Sequence, residues 1–234
     1  MPGPVPLDRT RWCDARGATG PLPSRTVTAA RWTALCAVAY NVLHHLGALP
    51  HGLGDAGGGT RVVDWLDLLT PYLVVGTALA ALAAAGTDQR GWRTAFVGAG
   101  LYVSGHGVHV AANSIGNVRG DAAPVHLWDE VVGHWVWYAG AALLVVALAR
   151  ALVLRVTPVS VLLALATAGT WTTNALEGTT AVGSLVVALL LTGWGVRRGD
   201  GTGRLLAVAF GTASLVLAAY GVWHAGFPAP SELP

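Results

Sequence analysis

The chain has 234 residues, of which 53% are hydrophobic and only 11% are charged. A soluble domain has about a quarter of its residues charged, so this composition excludes an ordinary soluble protein and indicates a polytopic membrane protein. A net charge of +2 without any basic stripe excludes a nucleic-acid partner. The two cysteines, Cys13 and Cys36, are too few and too far apart for a disulfide framework or a cysteine-based zinc knuckle.

Seven apolar segments follow a polar N-terminal stretch. Residues 1–26 are rich in Pro and Arg and are expected to form a disordered cytoplasmic tail. Each apolar segment is long enough, or nearly so, to cross ~30 Å of hydrocarbon as a helix. They lie at 28–48, 63–86, 92–114, 127–153, 157–178, 180–197 and 204–225. The sequence therefore predicts an all-α bundle of seven transmembrane helices over residues 27–225, with an external tail at 226–234. Only residues 178–180 separate the fifth and sixth segments, which leaves open whether these are separate helices.

The arginines predict the orientation of this bundle. The N-terminal tail and the junctions after the second, fourth and sixth segments contain twelve of them, whereas the opposite side has only Arg61 and Arg119. Positive residues accumulate on the cytoplasmic side of a membrane. We therefore expect a multi-pass protein of the plasma (cell inner) membrane, with its N-terminus in the cytoplasm and its C-terminus outside.

This topology brings all eight histidines to the non-cytoplasmic half: His44, His45, His51, His106, His109, His126, His134 and His224. Asp55, Asp64, Asp67, Asp129, Glu130, Asn174 and Glu177 fall on the same side. Ionisable residues at membrane depth are costly and usually face a cavity or each other. The pattern predicts a polar site near the outer surface of the membrane.

The segment 101–138 provides the main candidates, on two helical stripes. These are His106, His109 and Asn113 before a loop, and His126, Glu130 and His134, with Asp129 at the edge, after it. Two stripes joined by a short loop can face each other, as metal sites in helix bundles require. Imidazole and carboxylate ligands suit zinc, iron, manganese or copper, and the absence of nearby thiols disfavours a closed structural zinc site. The alternative is a set of interfacial polar residues mixed with the aromatic belt residues Trp128, Trp135, Trp137 and Tyr138.

Other segments offer further candidate ligands. His44 and His45 point about 100° apart on a helix, so at most one of them is expected to enter the same cavity. Glu177 lies at a helix C-terminus, where a carboxylate opposes the helix dipole, and this favours a role in the site. His224 could complete a metal shell from the last helix.

Several polar residues have simpler interpretations. Asp64 and Asp67 lie at the start of a span, where capping of the helix accounts for them. His51 lies in a Gly-rich loop and is interpreted as a solvated residue. Ser104 could be a nucleophile, a hydrogen-bonding group beside the site, or a packing residue of the kind common in membrane helices.

Three short motifs resemble a known family. They are LYVSGHGVH with Ser104 and His109, LWDEV with Asp129, and GVWHAG with His224. This pattern resembles the superfamily of seven-helix membrane metallohydrolases that includes the alkaline ceramidases and the adiponectin-receptor-like proteins. The resemblance implies a zinc ion bound by three histidines, with the Asp and Ser positioning or activating water. The last helix departs from the family pattern, since Tyr220 precedes His224 where the family has a second histidine.

The leading hypothesis is a membrane metalloenzyme that hydrolyses a membrane lipid or another hydrophobic small molecule from the outer leaflet. Zinc is the favoured metal, with Asp129 or Glu130 as general base and Ser104 as a possible catalytic group. One alternative is an iron- or copper-dependent oxidase or monooxygenase using the same ligands. A second is a non-enzymatic copper- or haem-handling protein with His109 and His134 as axial ligands, and a third is a receptor or packing subunit. The candidate metal ligands are His106, His109, His134, His224, Glu177, His126 and His44.

Overall fold

The computed structural model describes residues 24–120, 122–230 and 233, and this part of the chain is an α-helical bundle. Its helices are α1 (Ser24–Leu43), α2 (Val62–Asp67), α3 (Thr70–Ala85), α4 (Gln89–Arg119), α5 (Ala123–His126), α6 (His134–Ala151), α7 (Pro158–Glu177), α8 (Ala181–Arg198) and α9 (Gly201–Trp223). A π-helical segment, Leu127–Gly133, joins α5 to α6. Two 3-10 turns, Leu46–Ala48 and Pro50–Leu53, follow α1 and lead into a small antiparallel hairpin of β1 (Asp55–Gly57) and β2 (Thr60–Arg61).

The predicted all-α class is confirmed, and every predicted apolar segment contains a helix. The predicted first segment, 28–48, extends too far toward the C-terminus, because the helix ends at Leu43 and the chain then turns. The second is broken before Pro71, where α3 begins. The fifth and sixth segments are separate helices, since Thr179 between them has a positive φ of 32° that a helix cannot contain.

The observed limits of the helical bundle differ from the predicted domain limits. Ser24–Thr26, assigned to the N-terminal tail, belong to α1, while residues 1–23 lie outside the described part. The described residues that follow α9 fold back on it. There the Tyr220 hydroxyl donates to the Pro228 carbonyl oxygen at 2.8 Å, and the Phe227 ring lies against Gly221.

Among the described residues, five helical segments are long and apolar enough to cross a membrane: Val62–Ala85, Ala123–Ala151, Pro158–Glu177, Ala181–Arg198 and Gly201–Trp223. The other two long helices, α1 and α4, contain more polar residues. Two arginines lie in α1, and α4 has histidines, asparagines and arginines. Both are held within the bundle, since α1 packs on α3 and α7 and α4 packs on α6.

Glycines spaced seven residues apart let α4 and α6 touch through their backbones. Gly98 and Gly105 lie on α4, while Gly133 precedes α6 and Gly140 lies within it. A Cβ atom at Gly105 would collide with the backbone of Trp137, and one at Gly140 would collide with the backbone of α4. Small residues at such crossings allow membrane helices to approach closely and gain dispersion energy. The two helices therefore form one tightly packed antiparallel pair.

An aromatic column connects this pair to the other side of the bundle. The Tyr138 ring lies edge-on to Trp171 with centroids 4.7 Å apart, and Trp171 packs on Phe210 of α9. The Tyr138 hydroxyl donates to the carbonyl oxygen of Trp171 at 2.6 Å, so its polar atom is satisfied in the core. These contacts fix α6, α7 and α9 relative to one another.

The bundle has two chemically different ends. We define the arginine-rich end as the one that contains the starts of α1, α7 and α9 and the ends of α6 and α8. There Arg198 pairs with Asp200 and donates to the carbonyl oxygens of Ala149 and Leu152. The opposite, histidine-rich end contains the end of α1, the C-terminal half of α4 and the start of α6. The candidate functional residues all lie at this second end.

The close crossing of α4 and α6 leads to a stability prediction. Replacing Gly105 with Ala should lower the free energy of unfolding by about 1–3 kcal/mol, because the new methyl group forces two backbones apart. Gly100→Ala on the exposed side of α4 is the matched control, since a Cβ there meets nothing within 4 Å. Denaturation of the two variants in mild detergent, followed by circular dichroism, measures the difference. Equal stability of both variants would contradict the described contact.

Candidate metal centre

Three residues at the histidine-rich end form a group that could hold a metal ion. They are His109 on α4, Asp129 in the π-helical segment and His134 at the start of α6. Each offers one ligand atom, and these atoms lie within 4.8 Å of one another. The side chains of His109 and Asp129 are 18% and 11% exposed and that of His134 is 4% exposed, so the group is largely shielded from solvent. The predicted meeting of two polar stripes is confirmed for these three residues.

The π-helical segment explains why Asp129 rather than His126 faces α4. A π-helix bonds residue i to residue i+5, so residues five apart share a face. This geometry aligns Asp129 with His134 and rotates the preceding turn outward. The predicted stripe of His126, Glu130 and His134 assumed a regular α-helix and is wrong at its first member, because His126 is exposed. Single π turns inside α-helices often occur at functional sites.

A hydrogen bond fixes the orientation of His134. Its Nδ1 lies 2.9 Å from the main-chain carbonyl oxygen of Asp129. A carbonyl oxygen only accepts, so Nδ1 has the proton and Nε2 keeps a lone pair available for a metal. The ring also lies directly against Gly178, the residue after α7, where any Cβ would collide with it. Contacts of this kind orient metal-ligating histidines in many proteins.

His109 and Asp129 present their ligand atoms to each other. His109 Nδ1 and Asp129 Oδ1 form a close ion-pair contact of 2.5 Å, and the structure gives neither atom a further hydrogen-bond partner. Glu130 Oε2 is buried without a hydrogen-bond partner, 3.7 Å from His134 Nδ1. Buried polar atoms with so few partners are rare and costly. A shared cation would bind the converging lone pairs of His109, Asp129 and His134, so these residues fit a bound metal.

Trp137 organises the histidines around the group of three. Its ring centroid lies 4.4 Å from that of His44, 5.2 Å from His106, 5.9 Å from His109 and 5.3 Å from His134. The interpretation of Trp137 and Tyr138 as belt residues is wrong, because both are buried. Trp128 and Trp135, by contrast, are 51% and 47% exposed, as belt residues should be. The i, i+3 spacing from His134 to Trp137 was the signal that could have indicated its place in the cluster.

His106 and His44 lie beside the metal group rather than in it. His106 is buried, and its Nε2 is 3.4 Å from Asp67 Oδ1, which also accepts a hydrogen bond from Thr70. His44 Nε2 hydrogen-bonds the hydroxyl of Tyr102. Asp67 therefore contacts a site histidine, whereas the sequence favoured a capping role. His45 points instead to Thr170 on α7, in keeping with its rotation of about 100° from His44.

Three other predicted residues lie away from the centre. His224 is half-exposed at the end of α9 with its ring against Tyr220, 4.4 Å between centroids. It is not in the group of three, because α9 packs on α7 and α8 rather than on α4. His126 is exposed, as described above. Ser104 is exposed on α4, because two residues rotate it by about 200° from His106.

Glu177 and Asn113 flank the centre from opposite sides. Glu177 is exposed at the end of α7 and adjoins Gly178, against which the His134 ring packs. The next residue, Thr179, donates its hydroxyl to the Glu130 carbonyl oxygen at 3.0 Å. Asn113 continues the α4 stripe outward.

A polar network links the β1–β2 hairpin to α4 at Asn113 and Ser114. The Arg61 guanidinium lies 3.4 Å from Asn113 Oδ1 and pairs with Asp64 at 2.7 Å. Ser114 also donates to Asp64. The Arg61 main-chain nitrogen donates to the same carboxylate, so the predicted capping role of Asp64 is confirmed.

Comparisons with protein-family models, with curated proteins and with solved structures found no match for this chain.

The contact between His134 and Gly178 makes a prediction about metal affinity. Gly178→Ala should weaken metal binding roughly 10- to 100-fold, because the added methyl group displaces the ring, as loss of an orienting neighbour does elsewhere. Gly169→Ala on the same helix is the control, since a Cβ there meets nothing within 4 Å. Competition with a chromophoric chelator measures both affinities. Unchanged affinity in the Gly178 variant would contradict this placement of His134.

Proposed function

We propose that this protein is an integral membrane metalloenzyme that hydrolyses a lipid or another hydrophobic substrate at a site near the outer surface of the membrane. The observation that supports it most strongly is the group of His109, Asp129 and His134 at the end of an apolar helix bundle. The seven spans, the cytoplasmic N-terminus and the plasma-membrane location are parts of the proposal that the arginine distribution supports.

The donor set favours a catalytic divalent transition metal, with zinc first. Two imidazoles and one carboxylate are a known ligand set of catalytic zinc, which keeps a further position open for water or substrate. The one cysteine in the described part, Cys36, is buried in α1, and its sulfur lies 3.5 Å from the Val74 carbonyl oxygen. A thiolate-rich structural zinc site therefore does not fit this end of the bundle.

The residues around the group suggest a division of roles. A metal held there would supply Lewis acidity toward a substrate carbonyl and an attacking water. Asp129 is engaged as a ligand, so Glu130, with its buried Oε2 beside His134, is the better general base. Trp137 excludes water from the inner side of the group and holds the histidines in place. His106, which pairs with Asp67, lies beside His109 and holds it in place.

A hydrophobic substrate fits the surroundings of the centre. The rings of Trp128, within the π-helical segment, and Trp135, just after it, are exposed and are of the kind that lies at the level of lipid headgroups. A lipid could therefore present a bond near its headgroup to the metal while its chains stay in the bilayer. The resemblance to the alkaline ceramidases and adiponectin-receptor-like proteins points to the same substrate class. The proposed ligand set differs from that of the family, because Asp129 takes the place of the ligand that the resemblance assigned to His224.

Oxidation by iron is the second candidate, because two histidines and one carboxylate also form the ligand set of non-haem iron oxygenases. Copper would be an alternative in the same role. Haem between His109 and His134 does not fit, because their ring centroids are only 4.5 Å apart and no porphyrin could lie between them. Metal identity in the purified protein separates the two candidates, since colourless zinc favours hydrolysis and iron favours oxidation.

The ligand assignment predicts which histidines retain the metal. In wild-type protein we expect one bound metal ion per chain. His109→Ala, Asp129→Ala and His134→Ala should each lower this metal content strongly, because a metal with only three protein ligands is held poorly once one ligand is removed. His224→Ala, His126→Ala and His51→Ala should retain it. Metal content by mass spectrometry of the purified proteins measures this. Equal loss in both sets would contradict the assignment. Loss in His109→Ala and His224→Ala together with retention in Asp129→Ala would favour the ligand set of the resembled family.

The role of Glu130 predicts a separation of binding from activity. Glu130→Gln should lower hydrolysis of a fluorogenic acyl lipid by about 10²- to 10⁴-fold, since it removes the general base. The metal content of this variant should stay at the wild-type level. Glu177→Gln, a neighbouring carboxylate change, is the control. A wild-type rate in Glu130→Gln would exclude Glu130 as the base.

A further inference from the structure

A large apolar cavity opens at the arginine-rich end, away from the metal group. It lies between α1, α6, α7 and α9 and has a volume of about 480 Å³. Small and aliphatic side chains form its walls, among them Ala34, Leu163, Leu206 and Ala209. Such a lining offers apolar surface and almost no hydrogen-bonding groups, which suits a hydrocarbon chain.

A second cavity lies deeper in the bundle and adjoins the first. It has a volume of about 130 Å³ and shares the wall residues Ala37, Leu148 and Phe210 with the outer cavity. Tyr40 and Tyr102 line this inner cavity. A route past the shared wall residues would be an apolar passage from the arginine-rich end toward the middle of the bundle.

The rim of the outer cavity has the opposite chemistry. Arg31 in the first half of α1 and Arg155 just before α7 both line it, together with the hydroxyl residues Thr26, Thr157 and Ser160. Guanidinium groups bind phosphate oxygens in bidentate fashion. Basic pockets between membrane helices on the cytoplasmic side are a recurrent binding site for anionic lipid headgroups. A positive rim above an apolar interior is complementary to an anionic amphiphile.

We propose that this cavity binds an anionic phospholipid, with its phosphate between Arg31 and Arg155 and one acyl chain inside the bundle. The chain runs past Ala37 toward Tyr40 and Tyr102. This site lies at the opposite end of the bundle from His109, Asp129 and His134, and it does not depend on the metal proposal. Tyr102 hydrogen-bonds His44, so the end of the acyl chain lies one residue away from the histidine cluster.

The test uses the full chain in nanodiscs that contain equal amounts of phosphatidylglycerol and phosphatidylcholine. Native mass spectrometry of the protein released from them counts and identifies the retained lipid. We expect one phosphatidylglycerol molecule to be retained in clear preference to phosphatidylcholine. Retention of no lipid, or equal retention of both lipids, would overturn the proposal.

Two pairs of variants separate the headgroup from the acyl chain. Arg31→Gln with Arg155→Gln should reduce the preference for phosphatidylglycerol by roughly tenfold or more, because each arginine attracts an anionic headgroup. Arg90→Gln with Arg93→Gln removes the same charge from the start of α4, outside the cavity, and should preserve the preference. A loss of preference in both double variants would indicate non-specific attraction and overturn the assigned headgroup position.

Ala37→Phe should block the passage and abolish lipid retention, because Ala37 lines both cavities. Val38→Phe, at an adjacent exposed position, should retain the lipid. Thermal unfolding and the size-exclusion profile show whether each variant is folded, and if Ala37→Phe does not fold, Ala34→Phe in the outer cavity replaces it. Undiminished retention in the folded variant would overturn the proposed path of the chain.

Discussion

The direct backbone contact between α4 and α6 is the constraint on which the candidate centre depends. Gly133 has no side chain, and a Cβ there would meet the main-chain nitrogen and the Cβ of His109. His109 therefore lies as close to the start of α6 as the chain permits. His134 is the next residue after Gly133. The ligands are positioned by two packed helices rather than by loops, which is how precise sites are built.

The same contact creates an energetic cost at the histidine-rich end. Closing the two helices buries His109 Nδ1 and Asp129 Oδ1, which have no hydrogen-bond partner beyond their contact with each other, and Glu130 Oε2 and His106 Nδ1, which have none. Polar groups with so few partners inside an apolar bundle destabilise the fold. A bound cation would offset this cost by taking up the lone pairs of His109 and Asp129, and metal binding would then be coupled to folding stability at this site.

Sequence patterns were sufficient to predict the long helices and the proximity of His109 to His134 in the candidate centre. Long apolar segments interrupted by Gly, Pro and Arg define α-helices regardless of their neighbours, so their number and approximate limits could be predicted. The proximity of His109 to His134 followed from two stripes joined by a short loop. The rotation introduced by the π-helical segment could not be predicted, because the apolar and polar pattern of residues 127–133 is equally compatible with a regular α-helix. For that reason Asp129 was placed at the edge of a stripe and His126 inside it.

Long-range placement was the other part that the sequence could not provide. Nothing local to His224 indicates that α9 packs mainly on α7 and α8, and nothing local to Asp67 indicates that it reaches His106. X-ray absorption of the zinc-loaded protein reports the atoms that surround the metal and so tests whether His109, Asp129 and His134 are its ligands. We expect two imidazole rings and oxygen ligands at about 2.0–2.2 Å. A shell of three or more imidazoles without a carboxylate, or a sulfur neighbour at about 2.3 Å, would contradict it.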